Sequence, residues 1–377
     1  MNLFFTAKAE KKERSFFRLY GKAGYIFYTI KENRPNTIQK VTPASIYITT
    51  EKGVRPIRIS RKSMRKALTM LFYRRVTTLK ALMKIHAFSS ALAGLLKAIV
   101  SDICKVTETK TGAVRLSLRG LRYFFSGVSK GPDDIRIVKE NGGTFVLLNY
   151  VNIRCDQSAQ WKKHLRDLGF GYRCVMLDPG AKTIAEAEKR GRKLEPIDLD
   201  DYADFVKRHS DVIYQYLTCD VIGDSEKTRL NTLHLERVVG RRPVPIYHVQ
   251  SPLEVLEQLV EEDHEVIAIG GSVFVGRKQR ELMFAEIFER FGDQNFHALG
   301  LGTMRLLLQH RWFSSDSSSW LNGRIFRKLL AWSGDEPASR GMSSEEALAF
   351  NIRSLTALEE RYNDVQIHFD LIGPTII

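Results

Sequence analysis

Between residues 16 and 60, apolar and polar positions alternate in short runs, Tyr25-Ile26-Phe27-Tyr28-Thr29-Ile30 and Ser45-Ile46-Tyr47-Ile48-Thr49-Thr50, broken by Gly21, Gly24, Pro35 and Pro43. A period of two with such breakers predicts a small β-rich piece. From Arg61 the period changes. Leu68, Leu71, Phe72, Leu79, Leu82 and Met83 recur at helical spacing, while Arg61, Lys62, Arg65, Lys66, Arg74, Arg75, Lys80 and Lys84 cover the rest of the surface. A second basic segment, 115–125, interleaves Arg119 and Arg122 with Tyr123 and Phe124 and stops at Gly127. The turn-forming Ser129-Lys130-Gly131-Pro132 then marks a boundary, giving a basic α+β domain over 1–132 and a second domain over 133–377.

Beyond that boundary, strand and helix patterns alternate for about 240 residues, a usual length for an eight-fold β/α barrel. Strands are predicted at 145–151, 173–177, 212–218, 244–249, 266–269, 297–299 and 312–315, with the eighth at 135–138 or 365–371. Helices are predicted at 157–168, 183–190, 198–208, 253–262, 279–291, 303–310 and 343–362. The expected fold class is therefore α/β, a (β/α)8 TIM barrel with an additional basic α+β N-terminal domain.

Charge sharpens this division. The 377-residue chain has a formal net charge of +15, but residues 1–140 hold 29 Lys and Arg against 9 Asp and Glu, and the remainder holds 29 against 34. A basic front on a slightly acidic body suggests a polyanionic partner, because Lys and Arg neutralising phosphates supply most non-specific affinity for nucleic acid. Cys104, Cys155, Cys174 and Cys219 are far apart, with no C-x-x-C pair, so neither a disulfide framework nor a zinc site is expected. The first residues are too short an apolar run for a signal peptide, and no stretch reaches 18 apolar residues. The expectation is a soluble cytoplasmic protein with no membrane partner, no metal and no cofactor.

Candidate chemistry gathers at the predicted strand ends. Asp178 follows Val175-Met176-Leu177; Asp220 and Asp224 follow Tyr216-Leu217-Thr218-Cys219; His248 and Gln250 close the strand at 244–249. Gly270-Gly271, Gly300 and Gly302, and finally Asp316 follow the last three strands. Parallel strands place all these ends on one face, where barrel enzymes carry out chemistry. A lone strand-end Asp is more often a helix cap; four in succession weaken that explanation. Carboxylates sharing a site divide into nucleophile and proton shuttle, because repulsion and burial move their pKa values apart. Displacement at a glycosidic carbon uses such a pair. Glycines admit close backbone approach to a flat ring or a phosphate, and a carboxylate beside a Gln suits a purine edge.

The ordered motifs Asp178-Pro179-Gly180-Ala181, Asp220, Ile246-Tyr247-His248-Val249-Gln250, Ala268-Ile269-Gly270-Gly271, Leu299-Gly300-Leu301-Gly302 and Asp316 resemble the tRNA-guanine transglycosylase superfamily over roughly residues 140–325. Pro179 and Lys182 stand where members carry Ser and an aromatic residue, and the zinc-binding C-x-C-x-x-C…H element is absent. That absence and the basic N-terminal region place the resemblance with the DNA branch, which inserts 7-deazaguanines into DNA. The resemblance implies Asp316 as nucleophile and Asp178 as general acid/base. Asp220, Gln250, Gly270 and Gly271 would hold the purine, with Leu299, Gly300 and His248 beside it. Double-stranded DNA would be the polymer, with tRNA as the alternative, and a free base such as 7-cyano-7-deazaguanine the second substrate. Arg61, Lys62, Arg65, Lys66, Arg74, Arg75, Arg119 and Arg122 are the expected phosphate contacts. A non-catalytic nucleic-acid-binding barrel and a nucleoside or sugar hydrolase are the competing classes.

Overall fold

The computed structural model describes residues 3–358 except 52, 54, 75, 102, 109–111, 119, 131, 171–173, 292–293, 311, 332–333 and 339–340. Two compact units meet in the chain between Gly120 and Leu121.

The first unit is α+β. Helix α1 (Leu3–Tyr20) precedes four strands, β1 (Ile26–Tyr28), β2 (Pro35–Val41), β3 (Ser45–Thr50) and β4 (Ile57–Ser60), which form an antiparallel meander. Helix α2 (Arg61–Arg74), β5 (Val76–Thr78), α3 (Leu79–Met83), α4 (Ser89–Ile99), β6 (Cys104–Glu108) and β7 (Val114–Leu118) follow, and the last three strands pair antiparallel in the order β5-β7-β6. Ile46, Ile48 and Ile59 bury their side chains in one core with Met64, Leu68 and Leu71 of α2 and Leu92, Leu95 and Leu96 of α4. The β-rich reading of 16–60 did not include α1. Its buried stripe, Ala9, Glu13 and Phe16, contains a charge, so helical periodicity of apolar residues alone does not reveal it. Glu13 is fully buried because Arg61 and Arg65 of α2 both donate to its carboxylate.

In the second unit, eight parallel strands close on themselves: β8 (Arg122–Phe125), β9 (Phe145–Asn149), β10 (Val175–Asp178), β11 (Gln215–Tyr216), β12 (Ile246–His248), β13 (Ile267–Gly270), β14 (Phe296–Ala298) and β15 (Ser314–Ser317). β15 pairs with β8, and a parallel bridge between Leu217 and Val244 joins β11 to β12. The fold is a (β/α)8 barrel. Crossovers run through α5 (Pro132–Glu140), α6 (Tyr150–Ile153), α7 (Gln160–Asp167), α8 (Ala181–Lys189), α9 (Leu199–Arg208), α10 (Ser225–Val239), α11 (Leu253–Glu261), α12 (Arg277–Phe291) and α13 (Met304–Gln309). After β15 come α14 (Asn322–Phe326), the hairpin β16 (Lys328–Ala331) and β17 (Gly334–Pro337), and α15 (Ser344–Thr356).

Phe124, Phe145, Leu147, Met176, Leu217, Ile246, Val266 and Ala268 pack together inside the barrel. The alternate residues, among them Tyr123, Val146, Val175, Leu177 and Ile269, pack in the layer shared with the helices. That parity carries to the strand ends: Asp178 shares its face with Met176, His248 with Ile246, Gly270 with Ala268, and Asp316 with Ser314.

Three expectations are corrected. The eighth strand is Arg122–Phe125; Ile135 and Val138 lie on helix α5, and 365–371 lies outside the described residues. The boundary moves from 132 to 120 because β8 pairs with both β9 and β15 and belongs to the barrel. Arg122 is no phosphate contact: it is 1% exposed, with its guanidinium 4.2 Å from the Phe313 ring centroid. A barrel strand is covered on both faces, so an Arg-aromatic run that reads as a basic surface is interior here.

Candidate active site

Asp316 occupies the third position of β15 and is 5% exposed. Its Oδ1 accepts the Gly300 backbone N–H at 2.9 Å and lies 3.2 Å from His297 Nε2. A carboxylate can only accept, so Nε2 carries the ring proton and donates. The ring Nδ1 lies 2.8 Å from Ser314 Oγ, within hydrogen-bond distance. Among the described residues both hydrogen bonds to Asp316 fall on Oδ1, which leaves Oδ2 without one. His297 is fully buried one strand away on β14. It was not among the sequence-derived site residues, although it sits two positions before Leu299 and so on the same face of the strand.

Asp178 ends β10 and is half-buried. Burial first, then the negative charges of Asp316 and Asp220, raise its carboxyl from an ordinary 3.8 to about 7, against a lowering hydrogen bond from the Gly180 backbone. Three of the four strand-end carboxylates therefore share one electrostatic neighbourhood. The fourth, Asp224, caps α10 by accepting from Lys227 N at 2.9 Å and is structural. Tyr123 on β8 also belongs to this group. Its hydroxyl donates to the Ser317 carbonyl at 3.2 Å, and burial, with the charge of Asp316 adding, pushes its pKa up. Burial likewise pushes the Cys219 thiol up, with Asp220 and Asp178 adding, so Cys219 does not supply a thiolate nucleophile.

Asp220 and His248 form a pair, Oδ2 to Nε2 at 2.9 Å, both side chains 11% exposed. Gln250 donates from Nε2 to the Gly271 carbonyl at 2.8 Å. Gly271 has φ +75, and a Cβ there would fall 2.2 Å from Gln250 Oε1, so only glycine permits this approach. Gly270 lies between these groups and β14: a Cβ on it would sit 3.5 Å from Leu299 Cδ2 and 3.8 Å from His248 Cε1. Asp316, Gly300, Asp178, Asp220, His248, Gly270, Gly271, Leu299 and Gln250 thus all belong to the C-terminal ends of the barrel strands. Gly302 instead packs tightly on the Ser317 and Ser319 hydroxyls.

The expected phosphate contacts of the first unit divide. Lys62 and Lys66 are exposed. Arg61 and Arg65 are committed to Glu13, and Arg65 lies 3.4 Å from Glu10 as well. The Arg74 side chain, Arg75 and Arg119 lie outside the described residues. Among the described residues no group of three or more His, Cys, Asp or Glu is arranged to hold a metal ion, and no helix is long and apolar enough to cross a membrane.

No protein-family model matches the chain, and no curated protein matches it. Solved structures similar to it include a 4-hydroxy-2-oxoglutarate aldolase/2-deydro-3-deoxyphosphogluconate aldolase from TTHB1, 12% identical with a TM-score of 0.38, over 63% of this chain and 94% of the aldolase. The tryptophan synthase alpha chain of Legionella pneumophila subsp. pneumophila is 9% identical with a TM-score of 0.40, over 64% of this chain and 92% of its own. A tryptophan synthase from M. tuberculosis is 11% identical with a TM-score of 0.37, over 64% and 93%. At these scores the likenesses add nothing to the strand pairing, which establishes the barrel directly.

Proposed function

We propose that this protein is a transglycosylase that exchanges guanine in DNA for a 7-deazaguanine base through a covalent intermediate on Asp316. The observation that carries the reading is the pairing of two unlike carboxylates at one barrel mouth. Asp316 is oriented by two hydrogen bonds on one oxygen, and Asp178 is raised to about 7, able to give and take a proton near neutrality. In the first half-reaction Asp316 Oδ2 attacks the anomeric carbon, the glycosidic C–N bond breaks, and the departing guanine takes the Asp178 proton. In the second, Asp178 removes a proton from the incoming base, whose nitrogen displaces Asp316. Each half inverts the carbon, so the configuration is retained and the enzyme is restored. Asp220 and the Gln250 amide oxygen offer acceptors to the amino and imino donors of the purine, while Gly270 and Gly271 admit its flat ring.

The polymer is inferred from charge: residues 1–120 carry 25 Lys and Arg against 6 Asp and Glu, and Lys62 and Lys66 stand free of ion pairs with described residues. The test is incubation of the full chain with labelled guanine and either duplex DNA or tRNA. Label is expected in DNA and absent when Asp316 is replaced by Asn; label only in tRNA reassigns the polymer, and label in neither overturns the reading. Release of base from free nucleosides without a polymer would assign hydrolysis instead.

A further inference from the structure

The turn after β13 carries an apolar pair that the base-exchange chemistry does not use. Val273 and Phe274 are 45% and 63% exposed, in the single 3-10 turn Ser272–Phe274 capped by Gly271. The Phe274 N–H donates to the Gly271 carbonyl at 3.0 Å, the same oxygen that takes the Gln250 amide. The backbone beneath this exposed aromatic is thus tied to the same carbonyl as Gln250 of the proposed base pocket.

Cations follow at once. Helix α12 opens Arg277-Lys278-Gln279-Arg280 with no acidic residue in its first turn. Arg277 is 68% exposed and Lys278 is exposed, while Arg280 braces the turn by donating to the Val275 carbonyl at 3.1 Å. Glu281 lies 3.3 Å from Arg277 and 3.6 Å from Arg305 of α13, so one carboxylate faces two guanidinium groups and the local sign stays positive. Residues 121–377 as a whole carry 33 Lys and Arg against 37 Asp and Glu, so the patch opposes the charge of its own unit.

We propose that this turn is a strand clamp: Phe274 stacks on the base next to the target nucleotide, and Arg277 and Lys278 hold the phosphates beside it. A nucleotide drawn out of a duplex leaves a gap in the stack, and an apolar side chain filling that gap recovers part of the unstacking cost. Aromatic stacking tolerates any base, which suits a residue that holds a strand without reading it. A protein docked on this patch would cover the base pocket, three residues away in sequence, so the position favours the polymer substrate itself. The nature of the polymer rests on the proposed function.

The experiment measures binding by the full chain carrying Asp316→Asn. The probes are a single-stranded oligodeoxynucleotide and a duplex, each with 2-aminopurine beside the target guanine. Phe274→Ala is expected to weaken single-strand binding roughly tenfold and to remove the stacking quench of the 2-aminopurine, while Phe274→Trp keeps both. Arg277→Gln with Lys278→Gln is expected to lower the single-strand salt slope by roughly 1.4 and leave the quench in place. Binding and quench within twofold of the parent in Phe274→Ala overturn the clamp and leave the patch to a protein partner. If the chain with Asp316 intact exchanges base while Phe274→Ala changes nothing, the clamp alone fails. If the parent binds neither probe, the base-exchange reading fails with it.

Discussion

Asp316 and Asp178 are the same amino acid at the ends of two barrel strands, and their surroundings differ. The Gly300 N–H and His297 both donate to one oxygen of Asp316 and fix the orientation of its carboxylate. Asp178 sits half-buried beside two negative charges and keeps its proton up to about pH 7. In the proposed mechanism its acid form serves the first transfer, so the single-turnover rate of adduct formation should be level below about pH 7 and fall tenfold per unit above it. In Asp178→Asn that limb should vanish along with nearly all of the rate, and a limb that survives would place the acid elsewhere. The shift also acts on folding. Between about pH 4 and 7 the native state holds a proton that the unfolded chain has lost, so the contribution to stability is present below the ordinary 3.8 and lost as pH rises through 7. Asp178→Asn should therefore raise Tm at pH 8 relative to the parent and leave it nearly unchanged at pH 4. In the proposed mechanism His297 acts through Asp316, as a positioning residue. His297→Ala should lower kcat roughly 10- to 100-fold, the worth of one charge-assisted hydrogen bond, with KM for the polymer unchanged. A matching rise in KM would point to general damage at the mouth instead.

Elements hold these side chains in place by satisfying backbone groups that strands and turns leave open. Helix α15 begins with a capping box, Ser343 and Glu346, and then turns Asn351 into the layer beneath β16. This fully buried amide accepts the Leu330 N–H at 2.7 Å and donates to the carbonyls of Lys328 and Trp320 at 2.9 and 3.2 Å. Trp320 in turn donates to the Ser126 carbonyl at 2.8 Å, just past the end of β8. The chain that follows Asp316 is thereby tied back to the strand beside it. Asn351→Ala strands two buried backbone groups and a part-buried third and should cost about 2–5 kcal/mol, measured as a lower midpoint in urea with m unchanged. A loss under 0.5 kcal/mol would mean that the turn after β15 holds without this amide.

At the scale of the molecule, the charge is divided between the units, strongly positive over 1–120 and slightly negative over 121–377. Within the basic unit the cations divide again, into those paired with a buried carboxylate and those left exposed. Arg61 and Arg65 neutralise the buried Glu13, and removing either leaves a buried charge short of a partner. Lys62 and Lys66 lie on the same helix, exposed. Lys62→Gln with Lys66→Gln should flatten the salt dependence of duplex binding by roughly 1.8 in log–log slope with Tm unchanged. Arg61→Gln should instead lower Tm. An unaltered slope in the lysine pair would assign duplex binding to the barrel.

The barrel was legible in the chain because most of its strands are short apolar runs, several of them ending in or followed closely by Asp or Gly. Parallel pairing then obliges Asp178, Asp220, Gly270, Gly300 and Asp316 to share one face, whatever the details of packing. Charged residues that turn inward were not legible. Arg122 and Glu13 carry the sequence signature of a surface, and only their partners in space, the Phe313 ring and the two arginines of α2, make their burial tolerable. The first strand was lost with Arg122, and with it the true boundary. The same limit applies within the site. Alternation along β14 places His297 on the inner face, but its bond to Asp316 depends on the register between β14 and β15, which pairs His297 with Ser314. Local propensity sets the period of each strand; the stagger between strands is a property of the closed sheet.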